Sequence, residues 1–299
     1  MSEFVMTVGL PGSGKSTFIK ENFSNFKVHS SDELRKEMFG SVNVVDKNQI
    51  LFAELHKRIQ DDLHLGYDVI YDATNISHRK RASFLRTIEK YKHEKKALVF
   101  ATPYKDCIVA DSKRERTVGV DVIKRMYSNI FLPQLYEGFD KIDIVWRFNK
   151  KDFNIISRLA ELDEIDQNNP HHTLTIGRHL DTCATNLEIM TNNDEFYERL
   201  YTAAQMHDIG KPFTKQFNQE KGYCTYNQHH LVGAYDAMFY LKSLEYSDED
   251  ILEICKYITW HMQLYNINTN KSIDKFKKLV GVETYDNLKL LHNADISAK

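Results

Sequence analysis

Gly9-Leu10-Pro11-Gly12-Ser13-Gly14-Lys15-Ser16 decides how the first half of this chain is read. The stretch fits G-x-x-x-x-G-K-[ST] and stands where that pattern must stand to work, between a strand and a helix. Phe4–Val8 reads as a buried strand, and Lys15–Phe23 as the helix that follows. The glycines let backbone N–H groups converge on phosphate oxygens, and the helix N-terminus adds its dipole. Lys15 is expected to reach the β- and γ-phosphates, and the Ser16 hydroxyl to ligate Mg²⁺. Gly12, Ser13, Gly14, Lys15, Ser16 and Thr17 are the expected contacts to ATP. A glycine turn that merely joins strand to helix is the plain alternative, and motif and context together disfavour it.

Outward from this loop, strands and helices alternate. Lys27–His29 reads as a short strand, and Ser30-Ser31-Asp32-Glu33 has capping-box spacing ahead of a helix through Phe39. Lys47–Leu65 is amphipathic. Val69–Tyr71 and Ala97–Ala101 are buried strands, with a helix capped by Ser77 and running to Lys90 between them. Tyr104–Lys113 and Asp121–Ile130 look helical, and Ile142–Phe148 is a last strand. Strands separated by helices imply βαβ units and a mainly parallel sheet. The alternation then stops. Phe153–Leu162, Thr173–Met190, Asp194–His207, His229–Leu244, Asp248–His261 and Tyr285–Ala294 carry helical periodicity, and Ser247 with Asp250 repeats the capping spacing. The expected architecture is an α/β domain over 1–148, a linker with a first helix over 149–170, and an all-α domain over 171–299.

Composition is consistent with two globular domains. The chain has 299 residues, 42% hydrophobic and 27% charged, which excludes a disordered chain. A formal charge of −2 excludes a strongly basic nucleic-acid coat but not a local basic groove. Cys107, Cys183, Cys224 and Cys255 are scattered with no C-x-x-C, which suits a reducing, cytoplasmic setting. No stretch is long enough to cross a bilayer, so no membrane partner is expected.

Nucleotide binding does not name the acceptor, and three features bear on it. Asp32 sits at the mouth of a helix with Arg35 one turn on. A carboxylate there can accept the proton of an attacking hydroxyl, and an arginine can hold a phosphate; each is equally readable as a first-turn acid and a solvated helix face. Asp72 ends an apolar strand and is followed by Thr74-Asn75, which puts a carboxylate near the nucleotide crevice; its plain reading is a turn residue. Arg79 and Arg81 face either solvent or substrate. Lys113-Arg114-Glu115-Arg116 reads as a lid over phosphates or as a solvated charge run.

In the second half, Met206-His207-Asp208-Ile209-Gly210-Lys211 ends an amphipathic helix. Adjacent His and Asp side chains bind one or two divalent metals if other helices supply further ligands. His179, His229 or His230, His261 and Asp295 are the candidates, each individually more ordinary as a cap or surface residue. His171 and His172, upstream of His179, read as phosphate contacts or, more ordinarily, as surface or capping residues.

Residues 1–148 resemble the kinase domain of phage-type polynucleotide 5′-hydroxyl kinases. The resemblance rests on Gly9–Thr17, on Asp32-x-x-Arg35, on Asp72-x-Thr74-Asn75 and on Asp111–Tyr127. It implies that Asp32 is the general base on a 5′-OH, that Arg35 contacts an acceptor phosphate, and that Arg114 or Arg116 grips ATP. Residues from about 152 to 299 resemble the HD phosphohydrolase superfamily, with its H…HD…D pattern on His179, His207, Asp208 and Asp295. That resemblance implies further ligands at His229 and His261 for one or two divalent transition-metal ions, and a substrate-directed Lys211. Such ions supply Lewis acidity and hydroxide near neutral pH. Together the halves imply an enzyme that heals RNA or DNA ends ahead of a separate ligase. It would phosphorylate a 5′-OH with ATP and Mg²⁺, and remove a 2′,3′-cyclic, 2′ or 3′ phosphate. The alternatives are a nucleoside or small-molecule kinase fused to a nucleotide phosphohydrolase, and an ATP-gated HD nucleotide sensor.

Overall fold

The computed structural model describes residues 2–42, 44, 46–114 and 117–298. Arg116, one of the two lid candidates, lies outside them. The chain divides into two compact units. One runs up to residue 127 and includes 133–147; the other comprises 128–132 and 148 onward.

The first unit is a five-stranded sheet. Its elements are β1 (Glu3–Val8), α1 (Lys15–Asn22), β2 (Lys27–Ser30), α2 (Ser31–Phe39), α3 (Asn48–His64), β3 (Val69–Asp72), α4 (His78–Ile88), β4 (Glu94–Ala101), α5 (Tyr104–Ser112), α6 (Val120–Tyr127) and β5 (Lys141–Trp146). The order is β2-β3-β1-β4-β5 with every pairing parallel, as the alternation predicts. β1 is central, and the order reverses beside it. That reversal opens a crevice at the carboxyl ends of the strands, where the Gly9–Ser16 loop emerges. β1 is apolar on both faces because helices cover both. Phe4 and Met6 point into a core with Leu51, Leu55, Ile59 and Leu63 of α3 and Phe84 and Leu85 of α4. Val5 points the other way, to Ile19, Leu98 and Phe100. The i, i+4 stripe of α3 is fully buried, each residue contributing about 2 kcal/mol.

Two capping expectations fail. Ser30 and Ser77 occupy N-cap positions, but neither side chain caps its helix. Ser30 is also the last residue of β2, paired with Asp72, so the sheet rather than the helix sets its orientation; nothing in the structure explains Ser77. Ser247 does cap, accepting from the Asp250 N–H at 3.1 Å.

Arg81 faces neither solvent nor substrate. Its Nε and Nη2 donate to the Glu137 carboxylate at 2.8 and 2.7 Å, and its Nη1 to the Asn75 carbonyl at 2.7 Å. The two side chains are 1% and 0% exposed. Arg81 thereby ties α4 to the turn that follows β3. Arg81→Met strands a buried carboxylate, and the first unit is expected to lose about 3 kcal/mol in denaturant unfolding. Arg81→Met with Glu137→Leu is expected to recover most of that loss. Equal stability of the single and double variants would show that the ion pair does not brace this turn.

The second unit is helical, and it adds α10, α13 and a β-hairpin to the helices expected from the sequence. It comprises α7 (Ile155–Asp163), α8 (Ile176–Thr191), α9 (Glu198–Met206), α10 (Lys211–Thr214), β6 (Gln216–Asn218), β7 (Tyr223–Thr225), α11 (His229–Ser243), α12 (Asp248–Trp260), α13 (Asn270–Val280) and α14 (Val282–Ile296). β6 and β7 form an antiparallel hairpin. α8 packs on α9 and α14, and α12 packs on α9 and α11. The inner faces of α8, α11 and α12 carry Leu180, Leu187, Val232, Met238, Ile254 and Ile258, all buried. No helix among the described residues is long and apolar enough to cross a membrane. All four cysteines are buried and free.

Candidate functional site

The loop between β1 and α1 is built around its glycines. Gly12 and Gly14 have φ of 84° and 86°, a region that side chains with a Cβ avoid. A Cβ on Gly12 would stand 2.3 Å from the Cys107 carbonyl oxygen, and one on Gly14 would stand 2.0 Å from the Arg147 guanidinium. Ser13 is buried, its carbonyl accepting from the Thr102 hydroxyl at 3.2 Å. Lys15 folds back over the loop, donating to the carbonyls of Gly9 at 3.0 Å and Leu10 at 2.8 Å. Burial pushes its amine down to about 8 against the pull of Asp72. Ser16 and Thr17 open to solvent at the start of α1.

Asp72 ends β3 beneath this cradle. It accepts from the hydroxyls of Ser16 and Thr7, each at 3.3 Å. Burial raises its pKa, and Lys15 opposes the rise. A serine hydroxyl beside a carboxylate is a hard oxygen pair, which fits Mg²⁺. Asp32 and Arg35 sit on α2 at the same strand ends. Arg35 Nη1 donates to Asp32 Oδ1 at 3.0 Å, and Nη2 to Asn48 Oδ1 at 2.8 Å. Arg35 is buried, and its Nε bonds to nothing among the described residues. The Asp32 side chain is 62% exposed. It follows Ser30, which pairs with Asp72 at the carboxyl ends of β2 and β3, so the backbone of Asp32 starts α2 beside the crevice. Arg114 is exposed at the end of α5, and its charge also reaches Lys15. Asp111 anchors the segment that follows, accepting from the backbone N–H groups of Val118 at 3.0 Å and Gly119 at 3.2 Å.

The second unit gathers six side chains of the expected ligand set. His179 comes from α8, His207 and Asp208 from the turn after α9, His229 from the start of α11, His261 from just past α12 and Asp295 from the end of α14. Asp208 lies between two groups. Its Oδ2 faces the Nε2 of His179 at 3.4 Å and of His207 at 3.5 Å, and its Oδ1 faces His229 at 3.1 Å and His261 at 3.8 Å. Asp295 Oδ1 closes the first group, 3.1 Å from His179 and 3.6 Å from His207. His179, His207 and Asp208 can share one ion, and Asp208, His229 and His261 another.

The imidazoles are oriented by backbone. Nδ1 of His179 pairs with the Ala298 carbonyl at 2.9 Å, His207 with Ala204 at 2.8 Å, His229 with Tyr226 at 2.7 Å and His261 with Ile258 at 2.7 Å. Each carbonyl holds the proton on Nδ1 and leaves the Nε2 lone pair facing inward, the tautomer a metal requires. Gly210 permits the approach. A Cβ there would stand 2.3 Å from the His229 carbonyl and 2.5 Å from the Gly233 nitrogen. His230 lies outside both groups, so His229 is the candidate ligand.

The electrostatics favour cations. Burial alone would raise Asp208, but Lys211, His207 and His229 hold it well below the usual carboxylate range. Asp295 likewise sits far down despite burial, through His179 and His207. Burial lowers His207, but Asp208 and Asp295 outweigh it and raise the imidazole overall. Burial, then His207 and His229, push His261 well down. Imidazole nitrogens with two carboxylates form a borderline donor set that fits divalent first-row ions.

Several residues here carry no sequence signal. Tyr265 donates to Asp295 Oδ2 at 2.8 Å. Gln167 accepts from Lys211 Nζ at 2.7 Å, while the same amine stands 2.5 Å from Asp208. Tyr226 in turn donates to the Gln167 carbonyl. A polar side chain alone in a loop has no periodicity that would single it out.

Cradle and cage define a P-loop nucleotide-binding unit and a His/Asp metal unit on one chain. Residues 4–133 match the model of the family described as AAA domain, and residues 171–298 match that described as HD domain. The chain carries a kinase-like P-loop domain followed by an HD domain, and its His/Asp cluster lies within the second. Two solved structures align with part of this chain. A chain of the Pnkp1/Rnl/Hen1 RNA repair complex aligns at 23% identity and a TM-score of 0.38, over 42% of each chain. A chain of a second structure of the Pnkp1/Rnl/Hen1 complex aligns at 26% identity and 0.32, over 40% of each. The present chain thus covers about two-fifths of the length of these relatives.

Proposed function

We propose that this protein remakes both ends of a broken nucleic acid, with RNA the expected substrate. The first unit transfers the γ-phosphoryl group of ATP to a 5′-OH. The second removes a 2′,3′-cyclic, 2′ or 3′ phosphate. The product ends, 5′-phosphate and 3′-OH, are the pair a separate ligase joins. The observation that carries the reading is the position of Asp32, two residues after Ser30, which pairs with Asp72 at the carboxyl ends of the strands, and braced by Arg35 at 3.0 Å. A hydroxyl that attacks the γ-phosphorus has to lose its proton, and Asp32 is the carboxylate proposed to take it.

The roles follow from placement. Asp32 takes the proton of the 5′-OH as its oxygen attacks phosphorus. Arg35, buried with Nε bonded to nothing among the described residues, holds an acceptor phosphate. The amines and N–H groups of Gly12–Thr17 hold the triphosphate, Ser16 and Asp72 would hold Mg²⁺, and Arg114 reaches over the phosphates. In the second unit His179, His207, Asp208, Asp295, His229 and His261 would hold divalent ions, which supply Lewis acidity and lower the pKa of water. Lys211 offsets charge on the phosphoryl group.

The test pairs two substrates. Protein with ATP and Mg²⁺ is expected to label a 5′-OH oligonucleotide, and metal-loaded protein to release phosphate from a 2′,3′-cyclic end. Transfer to a nucleoside with none to any oligonucleotide would replace the acceptor proposed here with a small molecule. ATP binding with neither activity would point to a sensor.

A further inference from the structure

Beside the metal cage lies a cavity of about 530 Å³. That is within the range of about 300–1,000 Å³ that holds a small organic ligand, and far more room than one phosphate ion needs. Its floor is the reactive end, with Asp208, Lys211, His229 and His261. Its wall is different in kind: Lys221, Tyr223 and Thr225 of the β6–β7 hairpin, with Asn169, His171 and His172 from the segment before α8. Alternation along β7 explains the selection. Tyr223 and Thr225 share the cavity face, while Cys224 between them turns into the interior.

The wall is built rather than incidental. The turn of the hairpin is closed by Asn218, whose Oδ1 accepts from the Lys221 N–H at 3.0 Å and whose carbonyl accepts from the Gly222 N–H at 2.9 Å. The Cys224 N–H donates to the Asn168 carbonyl, and the Asn169 amide to the Cys224 carbonyl, both at 2.9 Å. These bonds lock the segment before α8 along β7. The Tyr223 and His171 rings stand perpendicular at 5.8 Å between centroids, an aromatic corner. Lys221 is exposed at the rim, whereas Lys211 is buried on the floor. Nδ1 of His172 is buried and bonds to nothing among the described residues.

We propose that this wall binds the terminal nucleoside of a nucleic-acid strand whose phosphate enters the cage. The proposal rests on the phosphohydrolase half of the function above and names how that site recognises its substrate. A planar base laid in the Tyr223–His171 corner stacks without reading its edges, so recognition tolerates every base. Lys221 stands where the strand leaves the cavity, placed for the next phosphodiester. A free mononucleotide offers the base and one phosphate but not the second, so the rim lysine separates a strand end from a mononucleotide.

The experiment measures binding to the full-length, metal-loaded protein. The probe is a short oligonucleotide ending in a 3′-methylenephosphonate, whose P–C bond resists hydrolysis, with a 5′ fluorophore that blocks the kinase acceptor. Tyr223→Ala is expected to weaken binding about tenfold and to weaken a nucleoside 3′-phosphonate equally, leaving inhibition by inorganic phosphate unchanged. Tyr223→Phe keeps the ring and is expected to bind as the native protein does, which separates stacking from loss of fold. Lys221→Ala is expected to weaken only the oligonucleotide and to reduce its salt slope by about 0.7. Native affinity in Tyr223→Ala, or equal weakening of inorganic phosphate, would overturn the proposal. Native protein that releases phosphate from a 3′-phosphate end alongside such a result leaves the proposed function standing and removes only this inference. Native protein that neither binds the probe nor releases phosphate overturns both.

Discussion

Asp208→Ala is expected to abolish phosphate release from 2′,3′-cyclic and 3′-phosphate ends, by about 10³-fold or more, while 5′ phosphorylation proceeds at the native rate. The size of the effect comes from position. Asp208 is the one side chain shared by both metal groupings, with one oxygen facing His179 and His207 and the other facing His229 and His261. Removing it takes a ligand from each ion at once and leaves the Lys211 amine buried without its carboxylate. Metal content measured by mass spectrometry is expected to fall together with activity. Replacing His261 should instead deplete only the grouping that contains it. Full metal content and activity in Asp208→Ala would remove the cage from the mechanism.

Asp32→Asn is expected to slow 5′ phosphorylation by about 10² to 10⁴-fold without weakening ATP binding. The amide keeps the shape of the carboxylate and can still accept from Arg35, but it cannot take a proton. Asp32 stands on α2, outside the Gly12–Thr17 loop, so the nucleotide cradle should remain intact. Lys15→Ala is the contrast, because it removes the amine that sits in the cradle and should raise the KM for ATP. A rate in Asp32→Asn within a few-fold of native, with ATP held normally, would leave the acceptor without a base among the residues named here. Phosphate release should be untouched by either change.

Much of the first unit was legible because its signals are local. A doubly covered parallel strand reads as a near-continuous apolar run, as Phe4–Met6 of β1 and Val69–Tyr71 of β3 do. The stripe Leu51, Leu55, Ile59, Leu63 fixes α3. Boundaries shifted by a few residues where frayed turns carry no pattern. In the second unit α13 went unread although Ile273, Phe276, Leu279 and Val280 recur at helical spacing, because that stripe is short and set among lysines and polar residues. The hairpin went unread because three-residue strands are too short for alternation to register. Arg81 could not be placed, since a long cation on an apolar helix face is ambiguous until its partner, 56 residues on, is known.

The chain's own order determined two things unaided. Gly9–Ser16 between strand and helix requires a phosphate cradle, and His207-Asp208 with histidines on other helices requires a common centre if they are to act together. Both are statements about which chemical groups exist and how they are spaced. Tertiary structure alone decided that backbone carbonyls hold the imidazole protons outward, and that Tyr265, Gln167 and Tyr223 surround the reactive end. The reason is physical. Periodicity reports which face of an element is buried, but distance across the core depends on how closely backbones pack, and at Gly210 that closeness is set by a missing Cβ.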